Sequence, residues 1–403
     1  MIYAIDLPIC PRRFAKSELN GLGLMDVGTG LFIVASGISG SKIVWYMNVY
    51  RNSSKRFFNC ILNSVVPCLI LGLLRTFFIQ LSNYHQSIEE YGIHWNFFYT
   101  VALIRAMSFI VTTKNPISSY LIKCSLKRQI LFYYIVSGIC LILSEFFPII
   151  ICPEYFQKRW QFNPKTLRYI NDNRSKSLWF ANFEGVISIF GYASIYFFKL
   201  SSSLLALSYL STDTNNDHKN EKISLKTKSP PNISLFKIHL FSGIIILCSS
   251  GCFYSLSGSE MISRRFGNSN YVLLILFIST VGFVFITSII SLLIHFKSLF
   301  SLNLSYSPLS LTIDHNGLLY FIISNLLTGF LNVFCLNTLQ FLPEKTYLDV
   351  ITGTYVDLSW SSSLIQFLIL LTYSSLSVIV VLIGAHCDWL RLSIADVFGI
   401  YLK

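Results

Sequence analysis

The run YVLLILFISTVGFVFITSIISLLIHF at residues 271–296 constrains the fold more than any other feature of the sequence. A helix needs about 20 consecutive apolar residues to cross the hydrocarbon core of a membrane, and this run exceeds that length. A similar run lies at residues 364–386. Composition agrees, because only 12% of the residues are charged, whereas soluble domains carry about 25%. The sequence therefore predicts an all-α fold, a polytopic transmembrane helix bundle.

The same length rule gives nine candidate spans, of which the first, third and fifth are interrupted by glycine and polar residues. The candidates are 27–47, 60–81, 93–112, 130–151, 178–199, 238–257, 271–296, 316–340 and 364–386. They predict a pre-membrane segment and two parts of a bundle joined by a polar linker. The predicted divisions are 1–26 before the membrane, 27–210 with about five spans and an interfacial loop at 152–177, the linker 211–233, and 234–403 with about four spans.

Charge and cysteine content limit the possible ligands. The net charge is +12, but the Lys and Arg residues lie mostly between apolar runs, as membrane-flanking charges do. This placement argues for membrane lipid and against nucleic acid as a partner. The ten cysteines form no CxxC pair and no Cys/His cluster at zinc spacing. We therefore expect no metal site and no disulfide framework. No bound cofactor is expected either, and the charges soon after Met1 predict no cleavable signal peptide.

Ionisable side chains near apolar runs are the best guide to function, because charge is expensive in hydrocarbon. The first such segment is DLPICPRRFAK, from Asp6 to Lys16, where Pro8 and Pro11 preclude a continuous helix. It predicts a bent re-entry at the mouth of the first span. On charge alone, a basic membrane flank is the simpler interpretation. Asp26 follows in MDVGTG, at the start of a glycine-spaced span that allows close helix approach.

A second polar segment is EEYGIHWNFF at residues 89–98. It predicts either a polar site or hydrogen-bonded structure, and the sequence leaves the two open. Arg75 and Arg105 lie within apolar runs and need partners, for which the acidic residues of this segment are candidates. Its polar side chains straddle a membrane boundary and the first turns of a helix: Glu89, Glu90, His94 and Asn96.

A third segment, SLWFANFEGVISIFGY at residues 177–192, carries Glu184 in an otherwise apolar run. Asn182 lies two residues before it. A carboxylate in such surroundings is either protonated or matched by a cation. Arg174 and Lys176, just upstream, are the candidate partners.

A fourth segment, SRRFGNSNY at residues 263–271, places Arg264 and Arg265 at the lip of a span. Two adjacent guanidiniums at a membrane surface suit a lipid phosphate or a CoA phosphate, which they can bind bidentately. Interhelical hydrogen bonding is the alternative interpretation of such polar groups.

The run NGLLYFIISNLLTGFLN at residues 316–332 belongs with this fourth place. Asn325 and Asn332 are seven residues apart, so two helical turns bring them to one face, with Thr328 on the same side. Ligand binding and hydrogen bonds between helices both remain open for this face.

Together these strings resemble the inositol acyltransferase family of GPI-anchor biosynthesis, the glucosaminyl-phosphatidylinositol acyltransferases of PIG-W type. Six strings occur in the family's order between residue 6 and about residue 338. The strings are DLPICPRRFAK, MDVGTG, EEYGIHWNFF, ANFEG, SRRFGNSNY and NGLLYFIISNLLTGFLN. The resemblance implies transfer of a fatty acyl chain, typically palmitoyl, from acyl-CoA to the inositol 2-hydroxyl of glucosaminyl-phosphatidylinositol. It also implies a multi-pass protein of the endoplasmic reticulum membrane.

By the same resemblance, Asp6 and Lys16 are the catalytic pair. A sugar hydroxyl is a poor nucleophile and needs a base to attack a thioester. Asp6 could accept the hydroxyl proton, while Lys16 could keep Asp6 ionised or stabilise the developing oxyanion. The expected substrate-binding residues are Arg12, Arg13, Asp26, His94, Asn96, Asn182, Glu184, Arg264, Arg265, Asn325 and Asn332.

The sequence departs from the family's pattern at Phe183, where relatives usually carry Arg, and at Asn270, where they usually carry Pro. Relatives also have about four spans before the Asp motif, out of about thirteen, so we expect this chain to lack the family's N-terminal spans. Two other functions remain open. A transporter would show two halves with matching interrupted spans, and no such symmetry is visible. An inactive truncated relative of the acyltransferases is the other alternative.

Overall fold

The computed structural model describes residues 14, 16–17, 21–49, 54–82, 88–113, 126–151, 164–217, 244, 262–300, 317–330 and 360–386. Within these ranges the regular structure is helical and contains no strand, which confirms the predicted all-α membrane bundle. The helices are α1 Leu24–Val49, α2 Ser54–Ser82, α3 Ile88–Tyr91, α4 Phe97–Thr113, α5 Leu126–Ile151, α6 Pro164–Asn173, α7 Leu178–Ala181, α8 Phe183–Asp217, α9 Ser269–Phe300, α10 Gly317–Phe330 and α11 Trp360–His386.

Helix α8 lies at the centre of the described bundle and packs against α1, α4, α5 and α9. It is the most buried of the long apolar helices, and its interior side chains include Tyr192, Phe197 and Leu200. Small residues such as Ser194 and Ser201 alternate with these large ones, which lets the neighbouring helices approach closely. Because apolar association gains little in lipid, this close packing is what holds the helices together.

The glycine-spaced start of α1 packs as its sequence predicts. A Cβ atom added at Gly37 would lie 2.6 Å from the carbonyl oxygen of Tyr196 on α8. A Cβ atom at Gly30 would lie 2.5 Å from the side chain of Ile275 on α9. Helix α1 therefore contacts both α8 and α9 through positions that tolerate no side chain.

Five described helices are long and apolar enough to cross a membrane, with two shorter apolar helices at Phe97–Thr112 and Leu364–Val380. Their outer faces expose large apolar side chains such as Leu73, Leu81 and Phe285, as lipid-facing surfaces do. The five are Leu24–Trp45, Ser64–Leu81, Leu126–Pro148, Phe183–Ser208 and Ser269–Ile286.

The helices also differ from the predicted boundaries in places. Helix α8 continues to Asp217, so it includes the first residues of the stretch 211–233 that was predicted as a linker. The predicted interfacial loop 152–177 contains the helix α6. The predicted span 238–257 and the remainder of the linker lie outside the described residues, apart from residue 244.

One end of the bundle gathers the starts of four helices. These helices are α1, α4, α8 and α9. Contacts between side chains at their first turns, or just before them, show that all four begin at this end. Helices α2 and α5 run the other way and bring their later turns to the same end. Since a helix N-terminus carries a partial positive charge, this end favours negative groups. We call this end of the bundle the N-terminal pole.

Candidate functional site

Asp26 is the first carboxylate of the N-terminal pole. It lies in the first turn of α1 and is completely buried. Its Oδ1 atom accepts a 2.6 Å bond from Nε of Arg264, and its Oδ2 atom accepts the backbone N–H groups of Gly23 and Ser17 at 2.7 and 3.0 Å. The guanidinium and these amides balance a charge that burial alone would make very costly.

Glu90 on α3 joins Arg264 to Lys16. The Lys16 Nζ atom lies 2.9 Å from Oε1 and 3.1 Å from Oε2 of Glu90, and Nη1 of Arg264 lies 3.3 Å from Oε1. Burial raises the pKa of Glu90, but the charges of Lys16 and Arg264 outweigh it and hold that pKa below the ordinary value. Glu90 is therefore an ionised bridge between the two cations.

Tyr91 completes the surroundings of Arg264. Its hydroxyl accepts a 3.2 Å bond from Nη1 of Arg264, whose guanidinium carbon lies 5.7 Å from the centre of the Tyr91 ring. Burial raises the pKa of Tyr91 well above the ordinary value, so the hydroxyl stays neutral. Arg264 is 3% exposed, and its charge is shared between two carboxylates and one phenol.

Glu184 forms a second ion-pair group at the start of α8, where it is completely buried. Arg174 binds it through both terminal guanidinium nitrogens, with Nη1 3.1 Å from Oε2. Nη2 of Arg265 lies 3.2 Å from Oε1. Arg174 is thus the predicted partner of Glu184, whereas the other candidate, Lys176, donates to Oδ1 of Asn173.

The turn at residues 262–268 sends its two arginines to different groups. Gly267 adopts a φ of 57°, and a Cβ atom at Gly191 of α8 would lie 1.8 Å from the Gly267 carbonyl oxygen. The turn therefore sits directly on the backbone of α8. Arg264 then reaches Asp26 and Glu90, while Arg265 reaches Glu184 on the other side.

The remaining predicted residues near the pole mostly hold its loops. Asn96 caps α4, because its Oδ1 atom accepts the N–H groups of Phe98 and Tyr99 at 3.1 and 3.2 Å. Asn182 accepts the backbone N–H of His94 at 2.9 Å. The His94 residue itself is exposed.

The other predicted positions are placed as follows. Asn325 lies at an exposed position of α10, where the neighbouring Thr328 bonds to Tyr373 of α11 at 2.9 Å. The Thr328 contact is of the interhelical kind. Asp6, Arg12, Arg13 and Asn332 lie outside the described residues.

Three polar groups inside the bundle, of which Lys199 is buried and Glu145 and Arg105 are partly buried, were not predicted as site residues from the sequence. Glu145 of α5 accepts the N–H of Ser269 at 2.5 Å and so caps α9. Lys199 on α8 donates to Oγ1 of Thr280 at 3.0 Å. Arg105, for which the sequence suggests acidic partners, donates to Oγ of Ser36 on α1 and to the Ser64 carbonyl oxygen and Cys68 Sγ on α2. A carboxylate inside the predicted fourth span was a visible signal for Glu145, although nothing local marks it as a cap, and Lys199 lies at the last position of the predicted fifth span.

The two ion-pair groups of the pole, one around Arg264 and one around Glu184, together contain one more cation than carboxylate. The cations are Lys16, Arg174, Arg264 and Arg265, and the carboxylates are Asp26, Glu90 and Glu184. This excess and the four helix starts favour an anionic ligand or a developing negative charge. Lys16 is 42% exposed and so is the cation most open to such a ligand.

The fold and this pole define a polytopic helical membrane protein with a buried ion-pair network at one end of its bundle. A sequence model of the GWT1 family matches residues 1–364. The chain belongs to the GWT1 family, as the resemblance seen in the sequence predicted.

Two similar relatives are both named GPI-anchored wall transfer protein 1. The chain is 30% identical over 354 residues to the one from Candida glabrata, covering 84% of this chain and 65% of the relative. It is 27% identical over 362 residues to the one from Saccharomyces cerevisiae, covering 86% and 66%. The chain thus spans about two thirds of the length of the curated relatives that it matches.

Proposed function

We propose that this protein acts in GPI-anchor biosynthesis as an O-acyltransferase. In this reaction a fatty acyl chain, palmitoyl in the favoured case, passes from acyl-CoA to the inositol 2-hydroxyl of glucosaminyl-phosphatidylinositol. Family membership and the relatives' names support the pathway. The reaction needs no bound cofactor, since acyl-CoA serves as co-substrate. The location we propose is the endoplasmic reticulum membrane.

The observation that carries this proposal is the position of Lys16. Its ammonium is exposed at the edge of a buried, charge-balanced network, at the end of the bundle where four helices begin. Attack of a hydroxyl on a thioester places a negative charge on the carbonyl oxygen. A fixed ammonium in partly dry surroundings stabilises such a charge far better than water does.

The proposed reaction has two steps, attack of the hydroxyl on the thioester and departure of the thiolate. The inositol hydroxyl oxygen forms the new ester bond to the thioester carbon, and its proton passes to the carboxylate of Asp6. The carbon–sulfur bond breaks, and the CoA thiolate leaves as the thiol after taking the proton from Asp6, which is then again a carboxylate. Lys16 stabilises the oxyanion between the two steps. The role of Asp6 rests on its position in the sequence motif, ten residues before Lys16.

The test is an acyl-transfer assay on membranes that contain the full chain. Labelled palmitoyl-CoA and glucosaminyl-phosphatidylinositol are supplied, and the acylated lipid is separated and counted. Lys16→Ala should reduce turnover by about 10²- to 10³-fold, as loss of an oxyanion donor does. Lys127→Ala, which removes an exposed lysine of α5, is the matched control and should leave turnover unchanged.

The outcomes separate the candidate functions. No product from the unaltered chain would favour the inactive relative, and substrate movement across the membrane without acylation would favour a transporter. Full activity of Asp6→Asn would refute the base role of Asp6, while leaving the role of Lys16 open to its own variant.

A further inference from the structure

The contacts of Lys16 close into a ring. Its ammonium binds both carboxylate oxygens of Glu90, at 2.9 and 3.1 Å. Glu90 binds Arg264, and Arg264 binds Asp26. The other carboxylate oxygen of Asp26 accepts the backbone N–H of Ser17, the residue next to Lys16. The ring therefore begins at the Lys16 side chain and ends at the adjacent backbone.

Each link of this ring is more buried than Lys16 itself. The side chain of Lys16 is 42% exposed, that of Glu90 is 16% exposed and that of Arg264 is 3% exposed. A lysine side chain has four rotatable bonds, and an isolated one on a surface would occupy many rotamers. The buried links have no such freedom, because Arg264 is fixed by Asp26 and by the Tyr91 hydroxyl.

We propose that Glu90 and Arg264 are positioning residues for Lys16, with Arg264 aligning the two carboxylates that fix the ammonium and the backbone beside it. This inference rests on the proposed function, in which Lys16 faces the oxyanion. Neither residue touches the reacting atoms. Their effect is to hold the ammonium in place before the reaction, so that little reorganisation is needed as charge develops.

The kinetic prediction follows from this division of roles. Loss of Glu90 leaves Lys16 charged but free to move, so stabilisation of the oxyanion falls while ground-state binding of the substrates is little changed. Glu90→Gln should reduce kcat by about tenfold with nearly constant KM. Glu90→Asp keeps the charge on a shorter side chain and should recover part of the loss. Asp172→Asn, an exposed position on α6, is the matched control.

A double-mutant cycle distinguishes positioning from a general structural role. If Glu90 acts through Lys16, then Glu90→Gln has no further effect on kcat once Lys16 is alanine. Equal losses in both backgrounds, or a loss expressed as a rise in KM alone, would overturn the inference.

A second readout does not depend on turnover. A water-soluble carbodiimide joins a contacting lysine and glutamate as an amide with loss of water, and mass spectrometry then detects the joined peptides. The full chain in detergent should yield the Lys16–Glu90 product, and Arg264→Gln should reduce its yield about tenfold because an uncharged amide cannot hold both carboxylates. If the unaltered chain forms the Lys16–Glu90 product but shows no acyl transfer, the proposed function is rejected while the ring of contacts is confirmed. An undiminished yield in Arg264→Gln would reject the positioning role of Arg264.

Discussion

Replacing Arg264 by glutamine tests the buried half of the ion-pair network. The change removes the cation that lies 2.6 Å from Asp26 and 3.3 Å from Glu90. Asp26 is completely buried and, among the described residues, then keeps its two backbone N–H donors. Breaking a buried ion pair by removing one partner costs about 3–5 kcal/mol, because the other charge stays buried without its partner.

The measurement is thermal unfolding of the purified full chain in detergent, followed by loss of the monodisperse peak in size-exclusion chromatography. A loss of this size in a chain of 403 residues lowers the apparent melting temperature on the order of 5 °C. Lys127→Gln also removes one positive charge, but from an exposed position, and should melt with the unaltered protein.

A second substitution shows whether the orphaned charge causes the loss. Adding Asp26→Asn to Arg264→Gln removes the buried carboxylate and should recover about 1–3 kcal/mol. Unchanged melting of Arg264→Gln, or strictly additive losses in the double variant, would refute the assignment of the pair as a buried, mutually dependent unit.

Three further predictions concern packing, a buried lysine and pH. Gly191→Ala should cost about 1–3 kcal/mol of stability and so lower the apparent melting temperature, because its Cβ would lie 1.8 Å from the Gly267 carbonyl oxygen. The control is Gly138→Ala, whose Cβ meets nothing within 4 Å and which should not lower the melting temperature. Lys199→Met should add about 1 kcal/mol or more of stability and so raise the apparent melting temperature, since the buried ammonium has a single described hydrogen bond. A lower melting temperature of this variant would contradict the prediction. Because the pKa of Glu90 is held below its ordinary 4.5, its stabilising contribution is present above pH 4.5 and is lost below it. As the pH is lowered from 6 to 3.5, the melting temperature of the unaltered protein should therefore fall more steeply than that of Glu90→Gln. An equal fall in both proteins would refute the pairing.

The helices were predictable because their signal is local. Length and hydropathy alone locate the run at 271–296, and the structure has α9 at Ser269–Phe300. The partner of Glu184 was also predictable, since Arg174 lies only ten residues away in sequence. Local patterns do not show how far a helix extends beyond the membrane, and α8 continues to Asp217 through residues that are polar in composition.

The ring around Lys16 was not predictable in the same way. Arg264 and Asp26 are separated by 238 residues, and Lys16 and Glu90 by 74. No periodicity within one helix specifies such contacts, because they depend on which helices become neighbours. The sequence identified most of these residues as polar groups of interest, but it assigned Arg264 and Arg265 to a phosphate ligand. In the structure both guanidiniums face carboxylates of the protein itself, and phosphate binding by them stays a prediction.

The tight turn at residues 262–268 has a consequence for how this end of the protein responds to disturbance. Two successive side chains of the turn, Arg264 and Arg265, neutralise acidic groups on opposite sides of it. Lifting the turn away from Gly191 would uncover Asp26, Glu90 and Glu184 in a single event. A small molecule that wedged beneath it would therefore abolish charge compensation on both sides at once, as an all-or-none failure instead of a gradual one.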